Sequence, residues 1–271
     1  MTTLRRLTIA ALVVSAAASP ALAAEPKLPR DGWVSWDVPA FEGAPAWCCF
    51  DWKARDSAPP ACKLDGHDSG YGNRHDEKTD TVTMYARTTA GKLDRLRVLA
   101  ATCPVEVGAP IDEQAVTADE SARWLLAQVG AAGTDAGARR RLADDALAAL
   151  SMHRGDVARA GLVKVGNEDP LGDIRSKAWF WLAMTGAPNA ESAISSAVRR
   201  DPDDHVREEA VFALSRLPDD RATRALIAAA EDQSLSREQR KRAVFWLSQS
   251  ESSGALAYLD RVLAAAPATR K

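Results

Sequence analysis

Cysteine is missing from most of this chain. All four cysteines (Cys48, Cys49, Cys62 and Cys103) lie before residue 104 of 271. Whatever holds the remaining residues together is therefore not covalent. Beyond the first residues no segment approaches about 18 apolar residues, so no spanning helix is expected there. Basic residues are not in excess: 35 Lys and Arg face 37 Asp and Glu, for a net charge of −2. Nucleic acid and anionic membrane both require a basic surface, so neither is expected as a main partner. No Gly-x-Ser-x-Gly elbow, Gly-rich phosphate loop or Cys-x-x-Cys pair occurs, which removes the common signatures of serine hydrolases, nucleotide binders and thiol oxidoreductases.

The first residues read as a targeting signal. Arg5 and Arg6 precede a short apolar run, Leu7 to Ala18, and Ala21-Leu22-Ala23 supplies small residues for cleavage. This pattern predicts a secretory signal peptide over 1–23 and a periplasmic or secreted protein with no membrane span after cleavage. Cleavage would leave 33 basic against 37 acidic residues, a net charge of −4. In an exported chain, four cysteines confined to one region predict a disulfide framework. Adjacent cysteines rarely bond to each other, so Cys48 and Cys49 are each expected to pair with one of Cys62 and Cys103, the assignment staying open.

Residues 24–31 are proline-bearing and charged, and read as a flexible leader. Residues 32–105 read as a small β-rich domain. Trp33 to Val38 alternates in the manner of a strand and stops at Pro39. Thr81 to Thr88 and Leu93 to Ala100, joined by Ala90-Gly91-Lys92, predict a hairpin. The Asp-, Gly- and His-rich stretch between Cys62 and Thr79 reads as a loop. Residues 106–117 read as a linker.

From residue 118 the apolar period becomes 3.6, the signature of amphipathic helix. Leu150, Leu182, Leu214 and Leu247 recur at 32, 32 and 33 residues. Ala178, Ala210 and Ala243 form a second column, Phe180, Phe212 and Phe245 a third, and Leu162, Ile194, Leu226 and Leu259 a fourth. A fixed period near 32 with helical spacing predicts stacked helix pairs. The region 118–271 is thus expected to be an all-α solenoid, a leading helix followed by about four pairs. The fold class is α+β multi-domain: a disulfide-bonded β-rich domain followed by the solenoid.

The residues Asp201-Pro202-Asp203, then Val206-Arg207, then Ala210 and Leu214 resemble the HEAT-like repeat of the phycobilisome-lyase type. Asp173-Ile174-Arg175 and Arg240 keep the same register. The first repeat departs from it, with Leu142 and Ala143 at the Val and Arg positions. Cys103-Pro104-Val105-Glu106-Val107-Gly108 and Arg242 to Gln249 are similar to secreted bacterial HEAT-repeat proteins with a cysteine-bearing front domain. The resemblance covers about 150 residues and implies a fold rather than an activity. HEAT-like hydroxylases ligate iron through His-Glu pairs, and no His-Glu dipeptide is present.

Three groups of candidate residues follow. Phe180, Phe212 and Phe245, one per repeat, would form either an apolar binding stripe or interhelical core. Arg199, Arg224 and Arg261, on second helices, are candidates for a curved binding face. His67 and His75, with Asp68, Asp76 and Glu77, lie in a polar stretch whose spacing fits no standard zinc site, and no metal or cofactor is expected. Arg175, Arg207 and Arg240 would bridge to the acidic turns at Asp201, Asp203 and Asp232 as a structural ladder. The expected function is a non-enzymatic envelope scaffold that binds a protein or extended peptide. The alternative implied by the resemblance is a lyase- or chaperone-like protein holding a tetrapyrrole-type ligand in the solenoid groove.

Overall fold

The computed structural model describes residues 25–51, 61–66, 69–130, 136–218 and 220–265; the expected signal peptide lies outside them. The alternating segment forms β1 (Gly32–Pro39). The hairpin forms β5 (Thr81–Thr89) and β6 (Lys92–Ala100). Its turn places Ala90 at φ 51° and Gly91 at φ 74°, the left-handed pair that suits the strand twist. Ala90 carries a Cβ in a region that disfavours it. Two anchors hold the turn: the Ala90 N–H donates to the Asp31 carboxylate and the Gly91 N–H to the Arg30 carbonyl, both at 2.7 Å. Residues 25–31 thus lie along the sheet instead of swinging free, and the Lys27 backbone exchanges two hydrogen bonds with the Gln114 side chain.

The segment expected to be a linker contributes β7 (Val105–Glu106) and β8 (Ile111–Glu113). The main sheet has the order β6-β5-β1-β8, with β8 parallel to β1 and the other pairs antiparallel. The stretch read as a loop contains β4 (Ser69–Lys78), paired antiparallel with β2 (Pro45–Asp51). Its polar composition gives no apolar alternation, so only the pairing defines it as a strand. β3 (Cys62–Lys63) pairs parallel with β7.

Strand alternation gives the main sheet two different faces. Val34, Trp36, Val38, Val82, Met84, Leu96 and Val98 point to the helices. Trp33, Tyr85 and Leu99 point the other way, into a second cluster with Leu64 and all four cysteines. There the disulfides are Cys48–Cys103 and Cys49–Cys62, spanning 55 and 13 residues.

The helices are α1 (Ala118–Gly130), α2 (Ala136–Ser151), α3 (Asp156–Glu168), α4 (Gly172–Met184), α5 (Ala190–Arg200), α6 (Asp204–Ser215), α7 (Asp220–Glu231), α8 (Arg237–Ser248) and α9 (Ser253–Ala265). They form two layers. α2, α4, α6 and α8 touch in series, and α1, α3, α5, α7 and α9 form the second row. The leucine and alanine columns are the reason: Leu150, Leu182, Leu214, Leu247, Ala178, Ala210 and Ala243 are all buried between the layers. Small residues set the spacing elsewhere. A Cβ on Gly166 would lie 2.6 Å from the Trp179 ring, and one on Gly161 2.6 Å from Leu126. Helix ends are capped locally. Asp203 accepts from the His205 N–H, and Ser236 with Gln239 forms a capping box.

A single apolar cluster runs from the sheet through α1 and α2 to Ala255 and Tyr258 in α9. At the junction the Trp36 indole N–H donates to the Ser121 hydroxyl at 2.7 Å. Ser121 in turn lies 2.8 Å from His153 Nε2, and His153 Nδ1 lies 2.9 Å from the Ala149 carbonyl. All three side chains are buried. With one proton on Nδ1 every group is satisfied: imidazole donates to Ala149, Ser121 donates to the imidazole, and Trp36 donates to Ser121.

Candidate functional site

The first-helix layer carries a run of aromatic side chains. Successive helical residues turn by about 100°, so the sequence Trp179-Phe180-Trp181 distributes its rings around α4. Trp179 enters the core, while Phe180 and Trp181 stay half-buried. Trp179 packs against Gly166 of α3.

From Trp181 the rings touch in sequence. Trp47 of β2 meets Trp181 edge-on at 5.6 Å between centroids, and Trp181 meets Phe180 at 4.9 Å. Phe180 stacks on Phe212 at 5.7 Å with an interplanar angle of 17°. Phe212 meets Trp246 at 4.8 Å, and Trp246 meets Phe245 at 5.0 Å. Six rings therefore connect the disulfide-bonded region to α4, α6 and α8. Phe245 is 52 % exposed, the largest exposure in the run. Phe180 and Phe212 are neither fully core nor fully free.

Charged pairs flank the rings and step by about one repeat. Asp144 of α2 accepts from Trp181 Nε1 at 3.0 Å and from Lys177 at 2.9 Å. Arg242 of α8 reaches Glu208 at 2.8 Å and Glu209 at 3.2 Å on α6. Beside Asp144, the Asp145 carboxyl is pushed up to about 7 by burial and by the Asp144 charge, which Arg97, Arg95 and Arg141 only partly offset. Two clefts open on this layer. One of about 240 Å³ lies between α2 and α4 at Arg140, Asp144 and Lys177, and one of about 420 Å³ lies at Glu238, Lys241, Phe245 and Trp246.

The arginines on second helices differ among themselves. Arg199 of α5 binds Asp232 at 2.9 Å. That contact and the Ser234 hydrogen bonds hold the Asp232 carboxyl down at about 2, with Ser234 the larger cause. Arg261 of α9 pairs with Glu231 at 3.1 Å and lies 5.2 Å from the centre of the Tyr258 ring. Arg224 of α7 is exposed and makes no ion pair among the described residues.

The arginine column is not uniform. Arg175 makes a bidentate pair with Asp201 at 2.9 and 2.8 Å and also donates to the Asp169 carbonyl. Both partners are buried, so this bridge is shielded from solvent. Arg207 instead donates to the Asp201 carbonyl and Arg240 to the Leu235 carbonyl. The column ties each helix start to the turn before it.

Among the described residues no three His, Cys, Asp or Glu side chains converge as metal ligands. His67 and Asp68 lie outside those residues, and His75 and Asp76 belong to β4. The Ser121–His153 pair is sealed from solvent and serves as a structural tie. Sequence columns found the three phenylalanines but not Trp47, Trp181 and Trp246. Trp47 belongs to β2, outside the repeats, and the other two are neighbours of a column rather than members of it.

Residues 159–248, from within α3 to the end of α8, match HEAT repeats. No curated protein matches the chain. HEAT repeats serve generally as protein-interaction scaffolds, and among the described residues no helix is long and apolar enough to cross a membrane.

Proposed function

We propose that the chain is an exported, non-catalytic scaffold of the cell envelope that binds a protein or extended peptide along the aromatic run of its first-helix layer. The observation that carries this reading is the unbroken contact of six rings across β2, α4, α6 and α8, ending on the half-exposed Phe245. Buried aromatic anchors with charged rims supply most of the affinity in protein interfaces. Here the rim is built from Lys177, Asp144, Glu208, Glu209 and Arg242. The mildly acidic net charge disfavours nucleic acid. The two disulfides and the signal-like residues 1–23 support export.

The test uses photo-crosslinking amino acids at position 245 on the aromatic run and at position 224 on the second-helix face, in cells. A partner captured at 245 and not at 224 is then titrated against Phe245→Ala, Phe212→Ala and Arg224→Ala. Weakening of tenfold or more for the phenylalanine variants with Arg224→Ala unchanged supports the aromatic run. The reverse ranking moves binding to the second helices and overturns the assignment.

A further inference from the structure

A separate groove of about 690 Å³ lies on the face of the main sheet that points away from the helices. Strand register explains its floor. Ser35 of β1 is paired with Tyr85 of β5 on one side and with Glu113 of β8 on the other. Paired residues share a face, and so do residues two apart on one strand. Asp37 and its partner Thr83 form the next row. Five oxygen-bearing side chains thus face one space, with Glu113 one strand spacing and Asp37 one two-residue step from Ser35. Thr83 donates to the Asp37 carboxylate at 2.6 Å.

Three features set this groove apart from an ordinary polar surface. No lysine or arginine is among its lining residues, and Glu113 is exposed and makes no ion pair among the described residues. Ser35 is only 5 % exposed, lines the groove, and its hydroxyl has no hydrogen-bond partner among the described residues. The side chain is thus held in place by burial while its hydroxyl stays open to the groove, free to donate to or accept from a group that enters it. The field there is also negative. Burial, and beyond it the charges of Asp37 and Glu113, hold the Tyr85 phenol above its ordinary value, against hydrogen bonding with Thr83.

The volume decides between kinds of cation. A bare metal ion needs a tight cage of several charged ligands, whereas this groove is the size of a small-molecule site. Val105, Ile111 and Val116 add apolar wall, and Gln114 and Thr117 the remaining polar lining. Ala101 and Val105 bracket Cys103, so the Cys48–Cys103 disulfide fixes that rim. We propose that this groove binds an organic cation, an alkylammonium group held between Asp37 and Glu113 with its hydrocarbon part against Val105, Ile111 and Val116. The site is independent of the aromatic run.

The alkylammonium group has two natural sources, a free amine and a lysine side chain. The test titrates the full chain, labelled for amide NMR, with 1,5-diaminopentane and separately with the blocked peptide acetyl-Gly-Lys-Gly-amide. Neutral 1,5-pentanediol is the control. Saturable shifts are expected at residues 35, 37, 85 and 113 with at least one cation and none with the diol. Response to the diamine alone assigns a small amine, and response to the peptide alone assigns a polypeptide ligand. Glu113→Gln, at an exposed residue that does not threaten folding, is expected to weaken binding at least tenfold. Glu191→Gln on α5, which removes the same charge elsewhere, is expected to leave it unchanged. Absence of shifts at these four residues with both cations, or equal effects of the two variants, overturns the proposal.

Discussion

The strand region and the helical stack solve the same problem with different means. In the strands, partners lie far apart in the chain: Trp33 pairs with Ile111, and Cys48 bonds to Cys103. In the stack, contacts step by one repeat, as in Lys177–Asp144, Arg199–Asp232 and Arg242–Glu209. A region of distant pairings must close long loops before it gains contacts, and covalent bonds offset that entropy. A stack of nearest-neighbour units needs none. The difference explains why all four cysteines precede residue 104. The first pair of helices has no preceding repeat to cover it, and the sheet takes that place through Val34, Trp36, Val38, Leu96 and Val98.

The largest test of this contrast is reduction of both disulfides. By the loop-entropy account each contributes about 3–4 kcal/mol, which together rivals the whole stability of a small domain. The expected outcome is loss of the sheet, followed by loosening of α1 and α2, whose apolar faces the sheet covers. Amide exchange by mass spectrometry reads both. Unchanged protection in α1 and α2 after the sheet has opened would show that the shared cluster does not couple the two regions.

Within the stack the buried and exposed bridges separate. Arg175→Ala leaves Asp201 buried and unpaired and is expected to cost about 3–5 kcal/mol. Arg199→Ala breaks an exposed pair with Asp232 and is expected to cost under about 1 kcal/mol. Urea denaturation of the two variants gives the comparison directly. Equal costs would mean that the Arg175 bridge is hydrated in solution.

How much of this was legible in the chain follows from the range of each interaction. The repeat columns and the Ala90-Gly91 turn depend on residues close in sequence, and the helices and hairpin fall where the period and turn chemistry place them. β4 and β8 depend on partners elsewhere, so Ser69–Lys78 and Ile111–Glu113 read as loop and linker. The Phe column was visible because it repeats. Trp47, which links it to β2, was not, because its contact with Trp181 joins residues of different regions. The groove at Ser35 needs the register of three strands, which no local pattern supplies.

The junction itself offers a smaller effect with a sign that can be checked. Burial holds His153 down at about 4, against the hydrogen bond to the Ala149 carbonyl. An unfolded histidine titrates near 6.5. Between those values the unfolded chain binds a proton that the folded chain refuses, so stability falls as pH drops from about 6.5 to about 4, by at most about 3 kcal/mol. Asp145, raised to about 7 in the fold, works in the opposite direction. Over the range from about 7 down to its unfolded value near 4, the folded chain binds the extra proton, and stability rises as pH drops. The two slopes oppose each other, which predicts a shallow acid profile for the native chain. Asp145→Asn removes one of them and is expected to steepen the loss of stability from pH 6.5 to 4.5 in urea titrations. His153→Gln, though less stable throughout, is expected to gain stability relative to its own pH 7 value on mild acidification. Parallel profiles for the native chain and Asp145→Asn would place the Asp145 carboxyl in solvent and leave the slope to His153 alone.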